Sequence, residues 1–417
     1  MEKFFLQVKS IWEKVTAKGF IYFFNRYHYY IIFALLTILA LIVRIDCIDF
    51  VSGDVNNFVR PWLEYFKGNG GLKALKVYPF LGDRYADYPM GYINILAFLS
   101  YLPAKSLHII KWISYFFDFV LATGVFMVIR HFSKNKLTQL LGYGIVLFYP
   151  TVILNSSFWG QCDQLYVSLA VWSLYFILKD KGNIAMIFIG LALSVKIQAI
   201  FFVPFILYMW LRKKIKFRSL WIVPLTIFAT FIPSYIAGAP FIMPFEMFVS
   251  LAGSYSNPNY GSPSMYAFFF TSHQVADIMI ALALVGMVML ILYRLRLKME
   301  DENILYSCAL FAVFTPFVLP HMHDRYFFMA DIMILLYVIC AKPKKWYFAM
   351  MMEFASFLCY TNFLFGDYNF KFFENDKESC IKIAALIVLI LIGLFLSEVR
   401  NLDKVEVDQS KISLSDE

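Results

Sequence analysis

The chain has 417 residues, 61% hydrophobic and only 16% charged. An ordinary soluble domain carries about 25% charged residues, so a soluble globular protein is excluded and a polytopic membrane protein is expected. The formal net charge of +8 sits in short Lys/Arg clusters between apolar stretches. That is the positive-inside pattern that sets topology, not a nucleic-acid surface, and no nucleic-acid partner is expected.

Residues 1–26 carry scattered cations (Lys3, Lys9, Lys14, Lys18, Arg26) and no small-residue cleavage site. They read as a cytoplasmic amphipathic segment, not a removable signal. The first span is 29–45. Residues 48–92 follow as the longest polar stretch of the chain. Within it, 54–65 predicts a helix: Asp54 or Gly53 caps it, and Phe58, Trp62 and Tyr65 recur at helical spacing. Gly68-Asn69-Gly70-Gly71 ends it. Residues 89–103 are apolar but short of the roughly 20 residues that a crossing needs, and read as a juxtamembrane helix.

Further spans are expected at 107–129, 137–154, 165–178, 184–193, 201–211, 221–236, 275–292, 304–319, 326–339, 346–364 and 381–396. With 89–103 left uncrossed, every Lys/Arg cluster between spans falls on one side of the membrane. The fold class is therefore all-α and polytopic, with about twelve transmembrane helices, both termini cytoplasmic and a long helical first external loop (48–92). Residues 27–398 are expected to form a single transmembrane domain with an external segment, 48–106, that is the candidate catalytic loop, and 399–417 a disordered cytoplasmic tail. No internal repeat is visible. The six cysteines show no CxxC and no metal spacing. A disulfide between Cys47 and Cys162 stays open, because spacing does not fix pairing.

This topology gathers the chemically capable residues on the outer face. The first loop holds Asp54, Arg60, Arg84 and Asp87, and the second runs from Asn155 through Gln161 to Asp163. Lys196 and Gln198 sit in a polar break between two short spans, which must line a protein cavity because lipid cannot satisfy it. Residues 238–266 bring Tyr255, Asn257, Asn259 and Tyr260. His321, His323, Asp324 and Arg325 follow Pro320. Such a cavity suits an anionic lipid phosphate, bound by charge-assisted donors, and a polyhydroxyl substrate.

The anchors Ser52-Gly53-Asp54, Asp87-Tyr88-Pro89, Trp159-Gly160-Gln161-Cys162-Asp163, Lys196-Ile197-Gln198 and His321-Met322-His323-Asp324-Arg325-Tyr326, with Asp118, resemble GT-C-fold glycosyltransferases. The likeness covers residues 50–330. It points to the dolichyl-phosphate-glucose glucosyltransferases of N-glycan assembly and to bacterial proteins related to the second GPI mannosyltransferase. Tyr88-Pro89-Met90 departs from the Tyr-Pro-Pro of that pattern. Where the oligosaccharyltransferase catalytic subunit has a metal-binding acidic pair, Asp163 here has Gln161 as its partner, so no metal and no cofactor are expected. The resemblance implies an inverting hexosyltransferase that uses a polyprenyl-phosphate hexose donor. Its acceptor would be a cell-envelope glycan or glycolipid on the extracytoplasmic face of a bacterial plasma membrane.

Under that resemblance Asp54 is the general base. Lys196, His321, His323 and Arg325 bind the donor phosphate. Arg60, Tyr88, Gln161, Asp163 and Gln198 bind sugar or acceptor. Plainer roles compete: a helix cap for Asp54, snorkelling for Lys196, a polar turn for 320–326, loop bracing for Gln161 and Asp163. Asp118 and Asp331, within spans, are expected to pair with buried donors. Asp46, Asp49, His28, His108 and His273 read as interfacial. A secondary transporter or lipid-linked-sugar flippase is the competing reading; it predicts inverted repeats and charges in both halves. Neither the sugar, the acceptor nor the oligomeric state is readable from these residues.

Overall fold

The structure is a computed structural model of the whole chain; it describes all residues except 1, 78–79, 82–83, 253–256, 270–272, 297–298, 366–376 and 414–417. Tyr255 and most of the expected external segment 366–378 lie outside the described residues, as do the side chains of Arg84 and His273.

Helix α1 runs unbroken over Glu2–Asp46. Residues 2–26 and the first span thus form one continuous helix, of which the part from Arg26 to Asp46 is long and apolar enough to cross a bilayer. They hold no proline and a single glycine, so nothing in them stops a helix. A wide turn at Val55–Val59 leads into α2 (Arg60–Gly68), which ends where Gly70 and Gly71 take positive φ. The short hairpin of β1 (Phe80–Leu81) and β2 (Arg84–Tyr85) leads to α3 (Met90–Leu99), followed by the long α4 (Ser106–Phe132). Next come α5 (Lys136–Phe148) and α6 (Pro150–Ile153), which continues as a wide helical turn to Trp159. The axis bends by 48° at the junction, where Pro150 has no N–H to extend α5. Helices α7 (Asp163–Leu178) and α8 (Gly182–Val195) form an antiparallel pair, of which α7 packs against α4.

A 3-10 turn at Ile197–Phe202 precedes α9 (Val203–Leu211). In the broken span α10 (Phe217–Leu220), α11 (Ile222–Ala229) and α12 (Ile232–Ile236), the first two lie along α8 and α12 packs on the turn at Gly71–Val77. Helix α13 (Met243–Ala252) and the short strand β3 (Asn259–Tyr260) precede α14 (His273–Arg294) and α15 (Asp301–Val318). Strand β4 (Met322–His323) pairs in parallel with β3 and opens onto α16 (Phe328–Cys340), α17 (Trp346–Leu364) and α18 (Lys377–Ser413). The tail expected to be disordered continues α18 through Ser413; its charged residues include neither proline nor glycine.

The protein is an all-α membrane protein. Among the described residues, four helices are long and apolar enough to cross a bilayer, or five with the bent pair as one span, and six shorter apolar helices accompany them. Two apolar clusters position the site. The larger fills the bundle around α4, α7, α15 and α16. The second lies beneath residues 55–97, where Val55, Trp62, Leu63 and Phe66 pack on Tyr92, Ile93 and Ile110. Each such side chain contributes about 1.5–3 kcal/mol when buried from water, so the polar segment is a fixed, packed layer. Because α7 starts at Asp163 and α8 ends just before Lys196, the turn before one helix and the turn after the other meet at the same end of the bundle, beneath this layer.

Candidate active site

At the start of the polar segment, Ser52 supplies the helix cap. Its Oγ accepts from the Val55 N–H (3.2 Å) and donates to the Trp159 carbonyl (2.6 Å). Asp54 has helical dihedrals and makes no capping bond. The serine therefore does what Asp54 was expected to do, and the carboxylate is free to turn inward.

Opposite it, the 154–159 turn ends at Gly160 with φ +69; a side chain there would bring its Cβ 2.8 Å from Val55 Cγ2. Lys111, fully buried on α4, donates to the Ser157 carbonyl and to that of Phe158 (3.1 Å). A cation at these carbonyls satisfies groups that the helix end leaves unpaired. The Trp159 indole N–H then reaches Asp54 Oδ2 at 2.9 Å, and Gln161 Nε2 reaches the same oxygen at 2.7 Å. Gln161 is itself oriented: the Tyr88 hydroxyl donates to its Oε1 (2.7 Å) and Ser114 Oγ to its carbonyl (2.6 Å).

Asp163 is buried. Lys196 Nζ lies 2.5 Å from its Oδ1, while Asn155 Nδ2 donates to Oδ2 at 2.9 Å. Arg325 joins the two halves: Nη1 is 3.2 Å from Asp54 Oδ2 and 3.5 Å from Asp324 Oδ1, and Nε is 3.5 Å from Asp163 Oδ2. The guanidinium lies over the Trp159 ring and the Lys196 ammonium over the Tyr88 ring, 5.1 and 5.3 Å from the centroids. One cluster thus holds three carboxyl groups and two cations, each touching an oppositely charging partner.

Burial by itself would raise the Asp54 carboxyl, but Arg325, Trp159, Gln161 and Lys196 together outweigh it and leave it below the usual carboxylate range. Burial wins at Asp87, which is raised, and at Asp324, pushed up to about 7 despite Arg325. His323 is pushed down to about 3 by burial and then by Arg325. Several buried polar atoms at this cluster make no hydrogen bond among the described residues, among them Arg325 Nε, Asp87 Oδ1, Gln198 Oε1 and Asn155 Oδ1.

The model of Glycosyltransferase family 87 matches residues 85–320, more than half of the chain. The protein belongs to glycosyltransferase family 87. No curated protein matches it. As a family 87 protein it is a membrane transferase that works on a glycosyl donor and an acceptor, consistent with the GT-C type. The transporter reading loses its ground. The matched range contains Tyr88, Gln161, Asp163, Lys196 and Gln198, starts after Asp54 and stops just before His321.

In this family 87 chain Asp54, Tyr88, Gln161, Asp163, Lys196 and Arg325 converge. Gln198 stands beside them, its amide donating to the Tyr326 hydroxyl at 2.6 Å. Two expected residues do not join. Arg60 stays exposed at the first position of α2, with no described contact to the cluster, because α2 turns Trp62 and Leu63 to the core instead. His321 takes positive φ and faces the other way, its Nδ1 2.7 Å from the Asn257 carbonyl. His323 stacks on Tyr260 (4.4 Å between centroids, 6° between planes). Burial and Arg325 favour its neutral imidazole in this arrangement.

Lys111 was not anticipated, and Asn155, Ser52, Asp87, Trp159 and Asp324 had no assigned role. A lysine between Ile110 and Trp112 in an apolar span is itself a signal of function or of a buried partner. Asp118 meets a buried donor as expected, Arg44 Nε at 2.6 Å, and Asp331 accepts from Ser356 Oγ at 2.9 Å. Asp49 is exposed against His108 (2.9 Å). Cys47 and Cys162 are both free thiols.

Proposed function

We propose that the protein transfers a hexose from a polyprenyl-phosphate donor to an acceptor hydroxyl with inversion, Asp54 acting as base. In this reading the chain crosses the membrane about twelve times with both termini cytoplasmic. The reaction takes place at the extracytoplasmic face of a bacterial plasma membrane, on a cell-envelope glycan or glycolipid. The observation that carries it is the asymmetry at Asp54. Trp159, Gln161 and Arg325 all address Oδ2, and no described residue addresses Oδ1, which is left for an acceptor O–H.

The acceptor oxygen attacks the anomeric carbon as its proton passes to Asp54, and the bond from that carbon to the phosphate oxygen breaks with its electron pair. Phosphate is a competent leaving group, so catalysis lies mainly in alignment and in stabilising the charge that gathers on it. Arg325 suits that task. Its Nε is buried and makes no hydrogen bond, standing only in a long ion pair with Asp163 Oδ2 at 3.5 Å, so a phosphate oxygen that accepts from it gains a bond the resting site lacks. An arriving phosphate would also draw the guanidinium off Asp54, raising the carboxyl toward the range where a base works best. Tyr88, Gln161, Asp87 and Gln198 offer hydrogen bonds to sugar hydroxyls. We assign no resident metal, since both Asp163 oxygens are already occupied by Lys196, Asn155 and Arg325.

The test uses the full-length protein in proteoliposomes supplied with polyprenyl-phosphate radiolabelled hexose and an envelope glycolipid extract. Wild type transfers label; Asp54→Asn loses about 10²–10⁴-fold in rate and retains the donor. Full activity in Asp54→Asn would overturn the assignment of the base. Uptake of labelled donor without transfer would overturn the whole reading.

A further inference from the structure

At the end of α7 and α8 remote from Asp163 and Lys196, a second polar pocket opens. Helix α7 has 16 residues and so spans about 24 Å, which puts this pocket at the opposite membrane face from the candidate active site. It has a volume of about 380 Å³ and is walled by Lys181, Lys214, Lys216 and Arg218, with Asn183 and Ser219 at its side. The only carboxylate in its lining is Asp180, which pairs with Lys214 at 2.9 Å. Lys181, Lys216 and Arg218 are exposed and have no carboxylate partner among the described residues. Ser219 Oγ donates to Asn183 Oδ1 (2.6 Å), joining α10 to α8 and holding the wall together.

A cluster of Lys and Arg at a membrane face is ordinarily a topology signal, and cations beside the C-termini of α7 and α9 also offset their dipoles. Neither role requires a concave arrangement with three cations left unpaired. The surroundings point to what would fill it. Ile184 lines the pocket and Ile187 follows one turn along α8; both are exposed. Phe217 and Trp221, beside the cations, are 60% and 62% exposed. Exposed apolar and aromatic side chains next to a basic concavity mark headgroup depth, with acyl chains alongside.

We propose that this pocket binds the phosphodiester head group of an anionic phospholipid, held by Lys181, Lys216 and Arg218, with its acyl chains lying against Ile184, Ile187 and Trp221. The ligand is a resident lipid of the far leaflet, distinct from the sugar donor. It would fix α10 and α11 against α8, the helix that carries Lys196 at its other end.

The experiment is native mass spectrometry of the full-length protein released from detergent after incubation with phosphatidylglycerol or phosphatidylcholine. Wild type should retain one phosphatidylglycerol and little phosphatidylcholine. Lys181→Gln/Lys216→Gln/Arg218→Gln should lower the retained fraction about a hundredfold, roughly fivefold for each cation. Lys134→Gln/Lys179→Gln/Lys213→Gln removes equal charge from the same face, outside the pocket lining, and should retain the lipid. If the triple pocket variant is not recovered folded, Asn183→Trp, which fills the pocket and keeps every charge, should lose the lipid in its place. Equal retention of the two lipids would overturn the proposal, as would equal loss in both triple variants or unchanged retention in the filled pocket. Displacement of the lipid by millimolar inorganic phosphate would also overturn it, because the site would then read a soluble anion.

Discussion

Arg44 and Arg325 are both buried beside aspartates, yet their surroundings differ. Arg44 on α1 gives Nε to Asp118 at 2.6 Å, Nη1 to the Ala40 carbonyl at 3.0 Å and Nη2 to the Leu147 carbonyl at 3.1 Å; both side chains of the pair are fully buried. Three of its donors are matched at short range, so the guanidinium ties α1 to α4 and α5; within the pair only Asp118 Oδ1, at 0% exposure, is left without a hydrogen bond. Arg325 faces three carboxylates at 3.2–3.5 Å, its Nε makes no hydrogen bond, and it is 11% exposed against 18% for Asp54. A guanidinium shared loosely among several acids can change partners when an anion arrives. Burial with closed geometry fastens helices; burial with open geometry leaves binding energy for a substrate.

The comparison breaks most visibly at Arg44. Arg44→Met strands the Asp118 carboxylate and should destabilise the protein by about 3–5 kcal/mol, read as a lower unfolding temperature in detergent. Arg44→Met with Asp118→Leu should recover most of that loss, because an apolar pair can replace a closed ion pair. Recovery would show that the pair is structural; a double variant that folds but fails to transfer sugar would mean that Arg44 and Asp118 take part in the reaction.

Arg325→Lys should do the reverse. The charge stays, so folding holds, but the fork that spans Asp54 and Asp163 is gone. Transfer should fall about 10²–10³-fold, the usual cost of removing one stabiliser of a developing anion, with little change in unfolding temperature. A large drop in unfolding temperature would assign Arg325 to the same class as Arg44.

The chain announced part of this arrangement. Apolar runs marked the helices closely, with 346–364 and 107–129 nearly coincident with α17 and α4, because a run of apolar residues between charges has few other ways to satisfy its backbone. Asp54, Gln161, Asp163, Lys196 and Arg325 stood out as polar groups in an apolar chain. Periodicity could not say that Ser52 would take the cap from Asp54, since both residue types cap helices equally well. Nor could it place His321, whose positive φ follows from a hydrogen bond to the Pro258 carbonyl 63 residues earlier in the chain. Lys111 was overlooked because the surrounding apolar run dominates the pattern, although its burial against the Ser157 and Phe158 carbonyls helps to set the Trp159–Gln161 turn.

Asp324 sharpens the comparison through pH. Its carboxyl is pushed up to about 7, so it is protonated below that value and ionises as pH rises through it. Ionised, it competes with a donor phosphate for Arg325 and repels that phosphate. The KM for donor should therefore climb above pH 7, by up to about tenfold per pH unit, and Asp324→Asn should flatten the rise. The lowered Asp54 stays ionised across the neutral range, and His323, pushed down to about 3, adds no step near 6.5. A profile of KM between pH 6 and 9 decides: an inflection that persists in Asp324→Asn would place the titrating group elsewhere.

The smallest effect tests how rigidly the open site is held. Ser52 is 4% exposed and makes two bonds, one that caps the turn carrying Asp54 and one to the carbonyl of Trp159, whose indole holds Asp54 Oδ2. Ser52→Ala removes both without altering charge or shape. Loss of a cap costs about 1 kcal/mol of stability, and an equal loss of alignment would lower kcat about fivefold. Ser52→Thr restores the hydroxyl and should return most of the rate. If Ser52→Ala lowers the unfolding temperature but leaves kcat untouched, then Trp159 and Gln161 alone fix the carboxylate, and the Ser52 hydroxyl belongs to the scaffold in the same sense as the Arg44–Asp118 pair.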